Sequence, residues 1–320
     1  MVLRIVYLGT PDFAVAPLDL LLTNGYDIAA VVTAPDMPAG RGQKITLSAV
    51  KRYATYHRLP VLQPPVLGDA AFLQHLKALH ADLQVVVAFR ILPREVWSMP
   101  PLGTFNLHAS LLPQYRGAAP IHRAIMNGET VTGVTTFFID DHVDTGQILF
   151  QEKTPIGPDE TYGELHDRLQ SLGAELVLKT VRMIESGDIL PVDQKKLAGM
   201  EEPLRKAPKI QKEDCRVNWH MPAQAVHNMI RGLSPWPGAC TDLVAPSGQL
   251  YQVKIIRSAI HLQSTGLPAG RIITDGKSHA GVAVSDGIIQ VIELQLSSRK
   301  RMTIDEFLKG FRLTQEWQVV

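Results

Sequence analysis

An open α/β sheet followed by a small β-barrel is the fold class that this 320-residue sequence predicts, and three observations predict it. Apolar runs at 4–9, 27–33 and 81–88 alternate with helical patterns, which is the signature of βαβ units around a parallel sheet. Beyond residue 209 the pattern changes to short strands separated by turn signals, with little helix between them. The stretch 187–209 carries Gly187, Pro191, Pro203, Pro208 and mixed charge, and reads as the join between the two parts. The expected division is a first domain at 1–189, a linker at 190–208 and a second domain at 209–320, a size that suits two domains.

Composition narrows the class. A hydrophobic fraction of 45% and a charged fraction of 20% are ordinary for a soluble globular protein. No apolar run reaches the roughly 18 residues that a membrane span needs, so no membrane partner is expected. The first strand begins at Arg4, which leaves no room for a signal or transit peptide, and a cytoplasmic location is the expectation. Cys215 and Cys240 match no metal-ligand spacing; free thiols and no metal are expected. Residues 1–205 hold 18 Lys and Arg against 22 Asp and Glu, and residues 206–320 hold 14 against 9. That split is either chance or a C-terminal part that faces a polyanion.

The elements follow in order. The first turn, Gly9-Thr-Pro-Asp-Phe13, is not G-x-G-x-x-G, so a nicotinamide-dependent dehydrogenase is disfavoured. Residues 34–47 hold two prolines and two glycines, which predicts a long irregular loop carrying Arg41 and Lys44. Helices are expected at 13–24, 51–58 and 70–80, with a short strand at 60–63. Residues 131–140 and 146–153 read as paired strands around the polar loop Asp140–Gly146. Thr161 and Glu164 make a capping-box pair at the head of a helix reaching 184, whose leucines share one face. The second part offers a helix at 222–231 and strands at 251–258, 270–274, 280–284 and 288–296. A last helix starts at the capping-box pair Thr303 and Glu306.

The chemistry concentrates in Gly103–Pro120. A short strand there puts Asn106 and His108 on one face by its period of two. Ser110-Leu-Leu-Pro113 then leaves the strand, because a proline cannot donate to the ladder. Asp144 stands 36 residues after His108, in the polar loop. An amide donor, an imidazole and a carboxylate suit acyl-type transfer: the amide holds an oxyanion, the imidazole moves a proton, and the carboxylate fixes the tautomer and raises basicity. No serine or cysteine occupies a nucleophile setting, so direct attack by a substrate nucleophile is favoured. A strand-end histidine is as readily a structural residue, and Asp141 or Asp144 a turn former; the residues alone leave both readings open.

The stretch Asn106-Leu-His-Ala-Ser-Leu-Leu-Pro-Gln-Tyr-Arg-Gly117, with Asp144-Thr-Gly146, resembles the signature of the folate-dependent formyltransferases. Six further stretches resemble the branch of that family that acts on tRNA. They are Val6-Tyr-Leu-Gly-Thr-Pro-Asp-Phe13, Pro38-Ala-Gly-Arg-Gly42, Ala207-Pro-Lys-Ile210, Ser234-Pro-Trp-Pro-Gly238, and Arg299-Lys-Arg-Met302 with Phe307-Leu-Lys-Gly310. The likeness covers nearly the whole chain. It implies an enzyme with a Rossmann-like catalytic domain and an OB-like tRNA-binding barrel. Its reaction would move a formyl group from 10-formyltetrahydrofolate to the α-amino group of methionine on initiator tRNA, in translation initiation.

By the same resemblance Asn106 would hold the oxyanion, His108 would handle the proton, and Asp144 would orient and charge-balance His108. Ser110, Leu111, Leu112 and Pro113 would line the folate site, and Arg41 and Lys44 would bind tRNA. A monomer is expected. Phe89-Arg90 and Ser297-Ser298 depart from the family pattern. The rivals are an enzyme on the same scaffold that formylates an amino-sugar nucleotide or hydrolyses the folate, and a non-catalytic RNA-binding module. The Arg41 loop with the basic C-terminal part disfavours the first, and the intact Asn106, His108 and Asp144 disfavour the second.

Overall fold

The computed structural model describes residues 2–39, 44–197, 203–263 and 265–320. Two strands, β1 (Arg4–Gly9) and β2 (Asp27–Val32), are buried along nearly their whole length, as parallel strands covered on both faces are. Between them a 3-10 turn at Asp12–Ala14 leads into α1 (Val15–Thr23). Gly9 is obligatory at this turn, because a Cβ there would lie 2.7 Å from the Ala14 Cβ. The buried Tyr7 hydroxyl donates to the Ala14 carbonyl at 2.6 Å and fixes the same turn.

Next come β3 (Met37–Ala39) and β4 (Lys44–Thr46), which pair antiparallel with Met37 opposite Thr46 and Pro38 opposite Ile45. The expectation of an irregular loop at 34–47 is corrected here. A two-stranded ribbon consists only of edge strands, and an edge tolerates the missing N–H of Pro38. The chain continues through α2 (Ala49–Tyr56), β5 (Val61–Leu62), α3 (Ala70–Ala78), β6 (Leu83–Val87), α4 (Arg94–Trp97) and β7 (Thr104–His108). Then follow α5 (Pro120–Met126), β8 (Val131–Phe138), β9 (Ile148–Pro155), α6 (Tyr162–Ser186) and α7 (Gln194–Leu197). Local chemistry sets the helix starts. Ser48 accepts from the Lys51 N–H at 3.0 Å and Asp69 from the Ala71 N–H at 3.0 Å. The Thr161–Glu164 box closes in both directions, at 2.8 and 3.3 Å.

The first sheet runs β5-β2-β1-β6-β7-β8-β9. Its strands pair parallel from β5 through β7, and β8 adds antiparallel to β7. The chain steps outward from β1 to β2 and β5, then returns to the other side of β1 as β6. That reversal makes β1/β6 the topological switch point, and the carboxyl ends of the neighbouring strands are where such sheets place their ligands. His108 is the last residue of β7.

In the C-terminal part, α8 (Ala223–Gly232) is followed by β10 (Ala239–Val244), β11 (Leu250–His261), β12 (Ile272–Thr274), β13 (Ala280–Ala283) and β14 (Ile288–Leu296). β15 (Met302–Thr303), α9 (Ile304–Gly310) and β16 (Gln318–Val319) complete it. The order is β12-β13-β14-β11-β10-β16, with β15 against β14. A bridge between Arg271 and Gln318 brings β16 to the start of β12 and nearly closes an antiparallel, OB-like barrel. Trp219, Ile230, Ile255, Ile289, Phe307 and Trp317 fill its interior.

The chain forms two compact units that interleave in sequence. Met1–Gly117, Thr132–Thr154 and His166–Lys206 make one; Ala118–Val131, Pro155–Leu165 and Ala207–Val320 make the other. Helix α5 therefore belongs with α8, against which it packs so closely that a Cβ on Gly232 would lie 2.8 Å from the Met126 Cγ. Among the described residues no helix is long and apolar enough to cross a membrane.

Candidate active site

Strand β7 delivers two polar side chains to one face. Phe105 and Leu107 are buried on the opposite face, Leu107 against Gly173 of α6, while Asn106 is partly exposed and His108 is buried at the strand end. The Asn106 amide has no hydrogen-bond partner among the described residues, so its N–H groups are available to a ligand.

His108 is held from both sides. Its Nε2 lies 2.9 Å from the Tyr115 carbonyl oxygen. A carbonyl can only accept, so Nε2 carries the proton and the neutral ring presents an unprotonated Nδ1. Asp144 Oδ2 stands 3.8 Å from that Nδ1 and accepts from the Gly117 N–H at 2.9 Å. The tautomer is thus fixed by the Tyr115 carbonyl, not by the carboxylate as the sequence suggested. The carboxylate instead faces the nitrogen that gains a charge when the ring takes a second proton. Tyr115 reaches this position with φ at 60° and Asp144 with φ at 56°, both in the left-handed region.

The turn after β7 is braced by β8 and β9. Thr135 lies opposite His108 in the ladder and is fully buried. Its hydroxyl donates to the Ser110 carbonyl at 2.6 Å and accepts from the Leu112 N–H at 3.2 Å. Gln151 Nε2 donates to the Leu112 carbonyl at 2.8 Å and to the Thr135 hydroxyl at 3.0 Å. Ser110, Leu112 and Pro113 are buried within this turn, and Ser110 Oγ donates to the Gln114 carbonyl at 2.7 Å; Leu111 alone of the four is partly exposed. The Asp144 loop has its own brace. Gln194, 1% exposed, donates to the carbonyls of Asp144 and Gly146 and accepts from Arg116. Gly146 admits no side chain, since a Cβ would sit 1.6 Å from the Phe138 carbonyl oxygen.

The structure therefore brings Asn106, His108, Ser110–Pro113 and Asp144 into one neighbourhood. Arg41 lies outside the described residues, and Lys44 is described only as the first residue of β4. Arg90, one of the departures from the family pattern, donates to the carbonyls of Pro64 and Pro65 at 2.8 and 3.0 Å. Thr135, Gln151 and Gln194 carry no local sequence signal, because each acts on residues distant in the chain. Among the described residues no group of three or more His, Cys, Asp or Glu could hold a metal ion.

An amide with no partner among the described residues, an imidazole and a facing carboxylate, on an α/β sheet followed by an OB-like barrel, suit a group-transfer enzyme of Rossmann-like fold. A family model described as "Formyl transferase" matches residues 3–181, and one described as "Formyl transferase, C-terminal domain" matches residues 209–312. A methionyl-tRNA formyltransferase of Bacteroides thetaiotaomicron is 51% identical over 99% of this chain and 98% of its own length. One from Porphyromonas gingivalis is 47% identical over 99% of this chain and 98% of its own. Among solved structures, the sugar 3N-formyl transferase WlaRD, crystallised with dTDP and 5-N-formyl-THF, has a TM-score of 0.65 at 19% identity. It covers 94% of this chain and 100% of its own. HypX from Aquifex aeolicus, in complex with tetrahydrofolic acid, has a TM-score of 0.64 at 19% identity over 97% of this chain and 48% of its own. These two likenesses show the fold. The chain belongs to the formyl transferase family, in its methionyl-tRNA branch, and is an enzyme.

Proposed function

We propose that the chain transfers the formyl group of 10-formyltetrahydrofolate to the α-amino group of methionyl initiator tRNA, for translation initiation. The observation that carries the mechanism is the Asn106 amide, left without a hydrogen-bond partner among the described residues on the strand face it shares with His108. The amine nitrogen attacks the formyl carbon, and the carbonyl electron pair moves onto oxygen. The Asn106 N–H donates to that oxyanion as it develops. His108 Nδ1 takes the proton from the attacking amine, and Asp144 balances the imidazolium. Collapse breaks the bond from carbon to the folate N10, and His108 returns the proton to N10. The products are a formamide on the methionine and tetrahydrofolate.

The turn Ser110–Pro113 is assigned to the folate side, with Leu111 as its reachable side chain. Arg41 and Lys44 are assigned to tRNA. Catalysis is assigned to 1–189 and tRNA binding to 209–320, with 190–208 joining them, in a cytoplasmic monomer. The names of the methionyl-tRNA relatives and the folates bound by the structural neighbours support the donor and the acceptor.

The test is single-turnover formyl transfer to methionyl-tRNA by Asn106→Ala. Loss of one oxyanion donor costs about 2.7–4 kcal/mol, or roughly 10²–10³ in kcat. A loss under about tenfold, well below that range, would remove Asn106 from this role.

A further inference from the structure

We infer that Gln194 is a positioning residue for the reaction, holding Asp144 opposite His108. The inference rests on the proposed role of Asp144. Gln194 lies at the head of α7, inside the stretch that the sequence marks as a linker. It is 1% exposed, and both ends of its carboxamide are fully engaged. Nε2 donates to the Asp144 carbonyl at 3.0 Å and to the Gly146 carbonyl at 2.8 Å. Oε1 accepts from Arg116 Nη2 at 2.6 Å and Nε at 3.1 Å. The orientation of the amide is unambiguous, because carbonyls only accept and a guanidinium only donates.

These four bonds join the two segments that build the catalytic pair. On one side lies Tyr115-Arg116-Gly117, whose first residue holds His108 Nε2 and whose last donates to Asp144 Oδ2. On the other lies Asp144-Thr145-Gly146. Tyr115 and Asp144 are both non-glycine residues in the left-handed region, a conformation that persists where its surroundings over-determine it. Gln194 supplies that determination from a third segment. No other neutral side chain of this length offers two donors to a pair of carbonyls and an acceptor to a guanidinium. Without it the Asp144 loop relaxes and the 3.8 Å approach of carboxylate to imidazole is lost.

The experiment is steady-state formyl transfer by the full chain, with 10-formyltetrahydrofolate and methionyl-tRNA varied separately. The variants are Gln194→Ala, Gln194→Glu, Asp144→Ala and the double variant Gln194→Ala with Asp144→Ala. Misplacing a reacting group by about 1 Å costs roughly 10²-fold, and that loss is expected in kcat for Gln194→Ala, with both KM values little changed. Thermal midpoints of each variant exclude simple misfolding, and Gln194→Glu keeps the acceptor for Arg116. It turns oxygens toward the two carbonyls and is expected to lose kcat as Gln194→Ala does. In the Asp144→Ala background, Gln194→Ala should cost no more than about twofold further, because a residue acting through Asp144 has nothing left to position. A full multiplicative loss in that background, or raised KM values with kcat intact, would overturn the inference while sparing the role of Asp144. Undiminished kcat in Asp144→Ala alone would overturn the underlying mechanism, and the inference with it.

Discussion

Thr135→Val asks how much of the site depends on one buried hydroxyl. Valine replaces threonine at nearly equal volume, so no cavity opens, and only hydrogen bonding changes. The hydroxyl gives one bond to the Ser110 carbonyl and receives two, from the Leu112 N–H and from Gln151 Nε2. Gln151 retains the Leu112 carbonyl as an acceptor and is not orphaned. The Ser110 carbonyl and the Leu112 N–H lose this partner at a fully buried position. Each unsatisfied buried group costs about 1–3 kcal/mol. The added methyl returns about 0.8 kcal/mol of burial, leaving a net loss of about 3 kcal/mol. For a unit of this size that lowers Tm by roughly 6–12 °C. Calorimetry of the first unit's transition measures it, with Thr135→Ser as the control that keeps the hydroxyl and loses only a methyl. A valine variant no less stable than the serine variant would refute the accounting, and the brace on the Ser110–Pro113 turn with it.

Two further expectations concern charge. Asp144→Asn keeps a carbonyl oxygen for the Gly117 N–H and removes only the charge beside His108 Nδ1. Its kcat should fall by roughly 10²-fold with an unchanged thermal midpoint, and a rate close to the parent's would show that the charge is idle. The Thr161 backbone N–H, helped by the Thr161 hydroxyl and Arg257, draws the Glu164 carboxyl from 4.5 down to about 2. The lowered value means a stabilisation present above pH 4.5 and lost as pH falls toward about 2. Thermal midpoints of Glu164→Gln should therefore depend less on pH across that interval, and parallel curves for variant and parent would refute the assignment.

What the sequence disclosed and what it hid divide by distance along the chain. The capping boxes at Thr161 and Thr303 were readable because donor and acceptor stand three residues apart, and both close in the structure. The shared face of Asn106 and His108 was readable because two is the period of any strand. The β3–β4 ribbon was hidden because the prolines and glycines of 34–47 argue against strands in general, and only an edge position makes Pro38 tolerable. Gln194 was hidden for another reason. Its partners lie 48, 50 and 78 residues away, and nothing near it in a charged, proline-containing stretch marks one glutamine as special. Strand β10 carries no marker of its own beyond the Pro237-Gly238 turn before it, although its alternating burial fits the barrel wall.

On the proposed mechanism, the arrangement around His108 separates two tasks that one residue could have carried. Orientation falls to a backbone carbonyl, which holds the proton on Nε2. Charge balance falls to Asp144, which faces the opposite nitrogen at 3.8 Å, beyond a hydrogen bond to the neutral ring and close enough to reward the imidazolium. A carboxylate that also bound the resting ring tightly would stabilise the ground state and the charged intermediate alike, and only the difference between them speeds the reaction. Asp144 is kept at that distance by its own bond to the Gly117 N–H and by the Gln194 clamp on its carbonyl. On that mechanism the rigidity of the loop serves the reaction, because a mobile Asp144 would settle onto His108 or swing into solvent, and either would lose the electrostatic gain before the amine arrives.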